Sequence, residues 1–345
     1  SLPATVQEAP FCASLATYNP SWLSVLSHDP KQSVSVTVAC MRTLGIIGSP
    51  EALHVLQGYQ GDKRSGVQKE YQAIMLGLAG KKEITKQQVS LEQRVSEAGQ
   101  SRYFLVIAMR DQRLLEGMPY YLHYILHEIQ GLSLAYARTL TDLAPLAEMT
   151  QLQHLHLSWC SALEDLTSLT ALTSLQELEF AWCLRLRDLS PLAVLTQLQA
   201  LRLEQVHSLK DLRPLRSLVD LQRLHISGAR FLTDLTPLTA LSSLQHLDLS
   251  CCQALTDFSP LAKLSQLLSL RLECKQTLDL SPLTRLKALT KVDLSGSVVE
   301  DLTPLIALPS LTRARLPYAH QESQVVEKLQ TRGVQVEFDG RQITL

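Results

Sequence analysis

The sequence predicts an α/β solenoid preceded by an α-helical module, and three observations carry that prediction. Aspartate recurs at Asp142, Asp165, Asp188, Asp211, Asp234, Asp257, Asp279 and Asp301, at near-constant intervals. A sustained period of this length marks a repeat architecture, in which each unit buries its apolar face only against its neighbours. Each interval also holds one LxxLxL segment, as in Leu152-Gln-His-Leu155-His-Leu157 and Leu244-Gln-His-Leu247-Asp-Leu249. Its second half alternates with period two, the pattern of a short strand with one face inward. Between strands runs a DLxPL stretch such as Asp188-Leu-Ser-Pro191-Leu192. There the proline pre-sets a helical or 3₁₀ start, and leucines three and four apart give a one-sided turn. A strand and a helical turn per unit, stacked in parallel, predict a curved horseshoe with the strands lining its concave side.

In chain order, residues 1–128 contain no LxxLxL segment and read as α-helical. Ser33 to Ile47 predicts a helix ending near Gly48, and Ser49-Pro50-Glu51 starts a second. A third is expected over Val67 to Leu78, stopping at Gly80. Residues 81–101 are polar and read as a helix with a loop, and Arg102 to Leu115 and Met118 to Gln130 as two further helices. The stretch VTVACMRTLGIIGSPEALHVLQGY resembles a HEAT-type helical pair. Residues 129–318 hold eight to nine rungs, starting from the degenerate Ile129-Gln-Gly-Leu132-Ser-Leu134. Residues 319–345 read as a cap, with a helix within His320 to Arg332 and a strand at Val334 to Phe338. An open solenoid needs such a cap to shield its last apolar face. The repeated Asp is expected to cap the turn or accept from nearby backbone N–H groups.

Bulk properties narrow the function. An apolar content of 46% excludes a disordered chain, and 32 basic against 33 acidic residues exclude a polycation for nucleic acid or a membrane surface. The seven cysteines form no CxxC pair, and Cys160, Cys183 and Cys252 share one repeat position. That pattern predicts reduced core thiols and a cytoplasmic protein. No run of about 18 apolar residues predicts a membrane span, and Ser1 to Pro10 do not read as a secretory signal.

The chemistry expected is sparse. Gly77-Leu-Ala-Gly80-Lys81-Lys82 lacks the spacing of a phosphate loop and reads as a glycine helix stop. His123 and His127 share a helix face without a third metal ligand. No nucleophile, acid–base pair, metal or cofactor site is expected, and hence no catalysis.

The outward strand positions are the informative ones. They mix Glu177, Glu179, Glu204, Asp248, Glu273 and Asp293 with Arg202, Arg223, Arg271, Lys291, Arg313 and Arg315. One sign would argue for nucleic acid, whereas mixed signs argue for a protein partner or a merely solvated face. Two places after the strand, successive rungs carry Tyr136, Trp159 and Trp182, with His154, His156, Glu177, Glu179, Arg202, Arg223 and His225 on the same concave side. Exposed aromatics beside charge have hot-spot chemistry. The alternative is an internal aromatic ladder covered by the N-terminal helices.

LxxLxLxxC with DLxPL resembles the leucine-rich repeat family in its bacterial form and is similar to internalin-type repeats. The resemblance covers residues 129–318. It implies a non-catalytic module that binds or senses a protein ligand. Helices followed by such repeats also resemble the C-terminal half of NACHT-type, NOD-like receptors. That likeness implies an immune sensor acting with an NTPase domain in cis. A free-standing scaffold or effector binding a cellular protein is the other reading.

Overall fold

A computed structural model of the chain describes Met41 and residues 56–79, 89–95, 101–108, 131–147 and 149–339. Two compact units separate within them. The first ends at Trp159 and the second begins at Cys160, with Thr141–Leu143 belonging to the second.

In the first unit, helix α1 (Ser65–Ala79) agrees with the expected third helix. Strands β1 (Val89–Val95) and β2 (Ser101–Ala108) follow as an antiparallel hairpin, in register from Val89↔Ile107 to Val95↔Ser101. Helix was expected over both, and the hairpin corrects that reading for these residues; the HEAT-like stretch, residues 36–59, lies outside the described residues apart from Met41 and 56–59. Val89-Ser-Leu91-Glu-Gln-Arg-Val95 begins in strict alternation, and Tyr103, Phe104, Val106 and Ile107 are strand formers. The helices expected over 33–47, 49–56 and 118–130, together with His123 and His127, lie outside the described residues apart from Met41 and Leu56. Strand β2 pairs in parallel with β3 (Gly131–Ala135), which pairs with β4 (His154–Ser158), so the repeat sheet extends back beyond the first LxxLxL.

The second unit stacks β5 (Glu177–Ala181), β6 (Ala200–Glu204), β7 (Arg223–Ser227), β8 (His246–Ser250) and β9 (Ser269–Glu273) in parallel. The two-residue β10 (Thr277–Leu278) then precedes β11 (Lys291–Asp293), which pairs with β9. Likewise β12 (Val298–Val299) precedes β13 (Arg313–Leu316), which pairs with β11. β10 and β12 pair with each other where the interval between aspartates shortens, from Asp257 to Asp279 and on to Asp301.

One rung explains the rest. Leu175, Leu178, Phe180, Cys183, Leu186, Leu189, Leu192, Leu195 and Leu198 are all at most 1% exposed. They point inward at intervals of two in the strand and three elsewhere. The three-residue interval is that of the 3₁₀ turn. Leu186, Leu192, Leu195 and Leu198 each donate their N–H to the inward residue three places back, at 2.9–3.1 Å. The 3₁₀ turns (Ser190–Val194 in this rung) are therefore the expected helical turns in their tighter form. Rungs are joined outside the strands too, as Gln199, Gln222 and Gln245 donate to Gln176, Gln199 and Gln222.

The recurring aspartates do what their position suggested. Oδ1 of Asp165, Asp188, Asp211, Asp234, Asp257, Asp279 and Asp301 accepts the backbone N–H two residues on, at 2.7–2.8 Å. These bonds fix the start of each 3₁₀ turn. Hydrogen bonds from Thr167 and Thr236 hold the carboxyls of Asp165 and Asp234 below the ordinary value, as Arg213 does for Asp211.

A helix and a strand follow β13. Ser323 Oγ accepts the Val325 N–H at the start of α2 (Gln324–Thr331), whose Val326 and Leu329 are buried. Gly333, at φ 84°, ends it in the left-handed conformation typical of a helix stop. β14 (Gln335–Phe338) then pairs in parallel with β13.

The inward cysteines are sealed. Cys160, Cys183 and Cys252 are fully buried, and the Cys252 thiol lies 3.6 Å from the carbonyl oxygen of Ile226 on the preceding rung. Burial pushes the Cys252 thiol up to about 12 and the Cys274 thiol up to about 11. Because the thiolate is the nucleophile, iodoacetamide at neutral pH is expected to leave both unmodified until the chain is unfolded, while among the described cysteines the partly exposed Cys251 reacts before them. Site-resolved mass spectrometry across a urea series checks the order.

Candidate functional site

The aromatic column sits on an unusual backbone. The residue that follows each of the strands β3 to β8 takes positive φ. Tyr136 (63°), Trp159 (59°), Trp182 (59°), Gln205 (53°), Gly228 (69°) and Cys251 (57°) occupy this position on successive rungs. The left-handed region costs a residue with a Cβ about 1–2 kcal/mol and suits glycine. Only Gly228 meets that preference. Its neighbours crowd it as well, since a Cβ there would lie 2.8 Å from Gln205 Oε1. Cys251→Gly is therefore expected to raise stability by up to about 1 kcal/mol, and Gly228→Ala to lower it by about as much or more. Urea unfolding of the two variants checks both signs.

In the first unit Tyr136 is 52% and Trp159 37% exposed, and their rings stack 6.2 Å apart with 14° between planes. The backbone amide of Tyr136 donates to the carbonyl of Ser158 at 2.9 Å, which locks the two rungs at this point. His156 is half-buried. His154 is fully buried, contrary to its expected place on the open face. Its register partner on β3 is Gly131.

In the second unit Trp182 is half-buried, and its N–H donates to the Glu204 carbonyl at 2.9 Å. The middle column of the sheet runs Glu179, Arg202, His225, Asp248, Arg271, Asp293, Arg315, Glu337, one residue per strand in register. Its signs nearly alternate, and several of the charges pair. Arg202 reaches Glu204 at 2.9 Å, Arg223 reaches Glu177 at 3.0 Å and His225 Nδ1 reaches Asp248 at 3.0 Å. Arg271 lies within 4.0 Å of Asp248, Glu273 and Asp293. Burial pushes the Asp248 carboxyl up, but hydrogen bonds from His225 and Ser250 outweigh it and hold the group below the ordinary value. Exposed pairs of this kind contribute about 0–1 kcal/mol each. Their effect is to leave a face without net field.

Of the residues expected at the site, the structure joins Tyr136 with Trp159, Glu177 with Arg223, and His225 with Asp248, and it withdraws His154. Sequence reasoning missed Gln205 and Cys251 as members of the strained column. The available signal was Gly228 at the same repeat position. Among the described residues no group of three or more His, Cys, Asp or Glu is placed to hold a metal ion, and no helix is long and apolar enough to cross a membrane.

No protein-family model and no curated protein matches the chain. Solved structures do. Internalin C2 (inlC2) of Listeria monocytogenes str. 4b F2365 is 29% identical with a TM-score of 0.51, over 58% of this chain and 91% of its own. An internalin (inlF) of the same strain is 26% identical with a TM-score of 0.50, over 62% of this chain. This chain spans 60% of the length of that second internalin. Parallel rungs, 3₁₀ turns on the DLxPL stretches and these likenesses together give the chain a leucine-rich-repeat fold.

Proposed function

We propose that the chain is a non-catalytic, protein-binding leucine-rich-repeat module whose partner docks on the open face of the sheet at Tyr136 and Trp159. The observation that carries this reading is the exposed Tyr136–Trp159 stack, held on left-handed backbone at both residues. Aromatic surface presented at a conformational cost adds little to a core, but it is the surface from which interface hot spots are made. The charge-balanced neighbouring face favours a protein over a polyanion, so we expect no nucleic-acid or membrane ligand. Capture from source-cell lysate with wild type and with a folded Trp159→Ala/Trp182→Ala variant tests the reading. A protein retained by wild type and lost by the variant supports it. Retention of RNA, or of the same proteins by both, overturns it.

The finer reading makes this module the cytoplasmic sensor half of a NOD-like (NACHT) receptor acting in innate immunity or antiphage defence, with an NTPase domain in cis. Its support is the resemblance of a helical segment followed by repeats; among the described residues that segment holds the single helix α1 beside a β-hairpin. An unbroken native reading frame lacking an NTPase domain would replace it with the free-standing scaffold.

A further inference from the structure

Many charges of the sheet face are paired with one another, whereas four basic groups of the adjoining loop edge are not. The loops leaving β5, β6 and β7 follow strands in register, so equivalent positions stack one rung apart. They expose Leu184, Arg185, Arg187, Lys210, Arg230 and Phe231. Two contacts tie the loops into one surface. Ser208 Oγ donates to the Leu184 carbonyl at 3.0 Å, and Lys210 Nζ lies 5.2 Å from the centre of the Phe231 ring.

Among the described residues none of Arg185, Arg187, Lys210 and Arg230 has a carboxylate within 4.0 Å. The acids nearest in sequence, Asp188, Asp211 and Asp234, are turned onto their own backbone N–H groups, and Asp211 also holds Arg213. Arg187 and Lys210 occupy the same position of successive rungs, at a backbone spacing of about 5 Å. Like charges so placed oppose folding, a cost that an anionic ligand removes. Burial, and with it the positive charge of Arg230, lowers the pKa of His207 between the loops.

We propose that this loop edge docks an acidic, extended segment of a partner protein. Its carboxylates would sit on Arg187, Lys210 and Arg230, and an apolar residue against Leu184 and Phe231. Spaced carboxylates fit better than a phosphodiester chain, which carries a charge on every unit and would meet Asp188, Asp211 and Asp234 between the basic residues. The proposal adds a second contact and stands whether or not the aromatic column binds.

The test is fluorescence anisotropy on the full chain. The probes are a labelled short peptide alternating Glu and Ser around one Leu, the same peptide with Lys for Glu, and a labelled single-stranded oligouridylate. Wild type is expected to bind the acidic peptide alone, with affinity falling as salt rises. Arg187→Glu/Lys210→Glu is expected to lose at least about tenfold, and Trp159→Ala/Trp182→Ala to bind as wild type. The exposed positions should tolerate the substitutions, with Arg187→Gln/Lys210→Gln as the milder pair if thermal melts show otherwise. No saturable binding of the acidic peptide, equal binding by the charge-reversed variant, or tighter binding of the oligouridylate would overturn the proposal.

Discussion

Phe180→Ala is expected to lower the unfolding free energy by about 3–5 kcal/mol. Phe180 is fully buried in β5, at the repeat position that Leu203, Ile226 and Leu249 fill on the following rungs. Truncation removes the largest fully buried side chain described in the second unit and leaves a cavity the stack cannot close without shifting its neighbours. Phe180→Leu restores the residue type of the column and is expected to cost less than about 1.5 kcal/mol. Each rung of a solenoid gains its stability from its neighbours, so the loss should concentrate around β5 and β6. Urea unfolding followed by circular dichroism measures the total. Hydrogen exchange should show amides near Leu201 opening before those near Ala314. Equal losses for Ala and Leu at position 180 would contradict the packing account.

Asp339→Ala is expected to release the C-terminal cap, at about 2–4 kcal/mol. Asp339 is 7% exposed, and its two carboxylate oxygens hold different turns. Oδ2 accepts the N–H of Gly296 and Oδ1 that of Tyr318, both at 2.8 Å, while its own N–H donates to the Leu316 carbonyl at 3.2 Å. One side chain thus joins the end of β14 to two preceding rungs. Removing it leaves both N–H groups without an acceptor, and the effect should be local. Limited trypsinolysis is expected to cut at Lys328 and Arg332 sooner in the variant, and exchange at Gly296 and Tyr318 to rise before that at Leu201. Asp339→Asn keeps one acceptor oxygen but turns an NH₂ group toward the second donor, so it should fall between the two.

Much of this architecture was legible because it is periodic. LxxLxL marked the strands, the repeated Asp marked the start of each 3₁₀ turn, and the polar segment after His320 marked the cap. The β1–β2 hairpin was not legible. It has no repeat partner, and an apolar run such as Tyr103-Phe-Leu-Val-Ile107 reads as buried helix or strand alike from periodicity. The site was half legible. Tyr136, Trp159 and Trp182 stood out as a column, but nothing in their identity signals left-handed backbone. Gly228, in the same column, was the clue. The basic loop edge was hidden. Arg187 and Lys210 share a repeat position, whereas Phe231 belongs to a different one and meets Lys210 only across rungs.

The central claim is that the aromatic column is a binding surface. Its most direct measurement is calorimetric titration of the captured partner against wild type and Trp159→Ala/Trp182→Ala, with both shown to be folded by their melts. The account predicts a loss of at least about 2 kcal/mol, some thirtyfold in Kd. Equal affinities for the two proteins would contradict it and return Trp159 and Trp182 to a purely structural role.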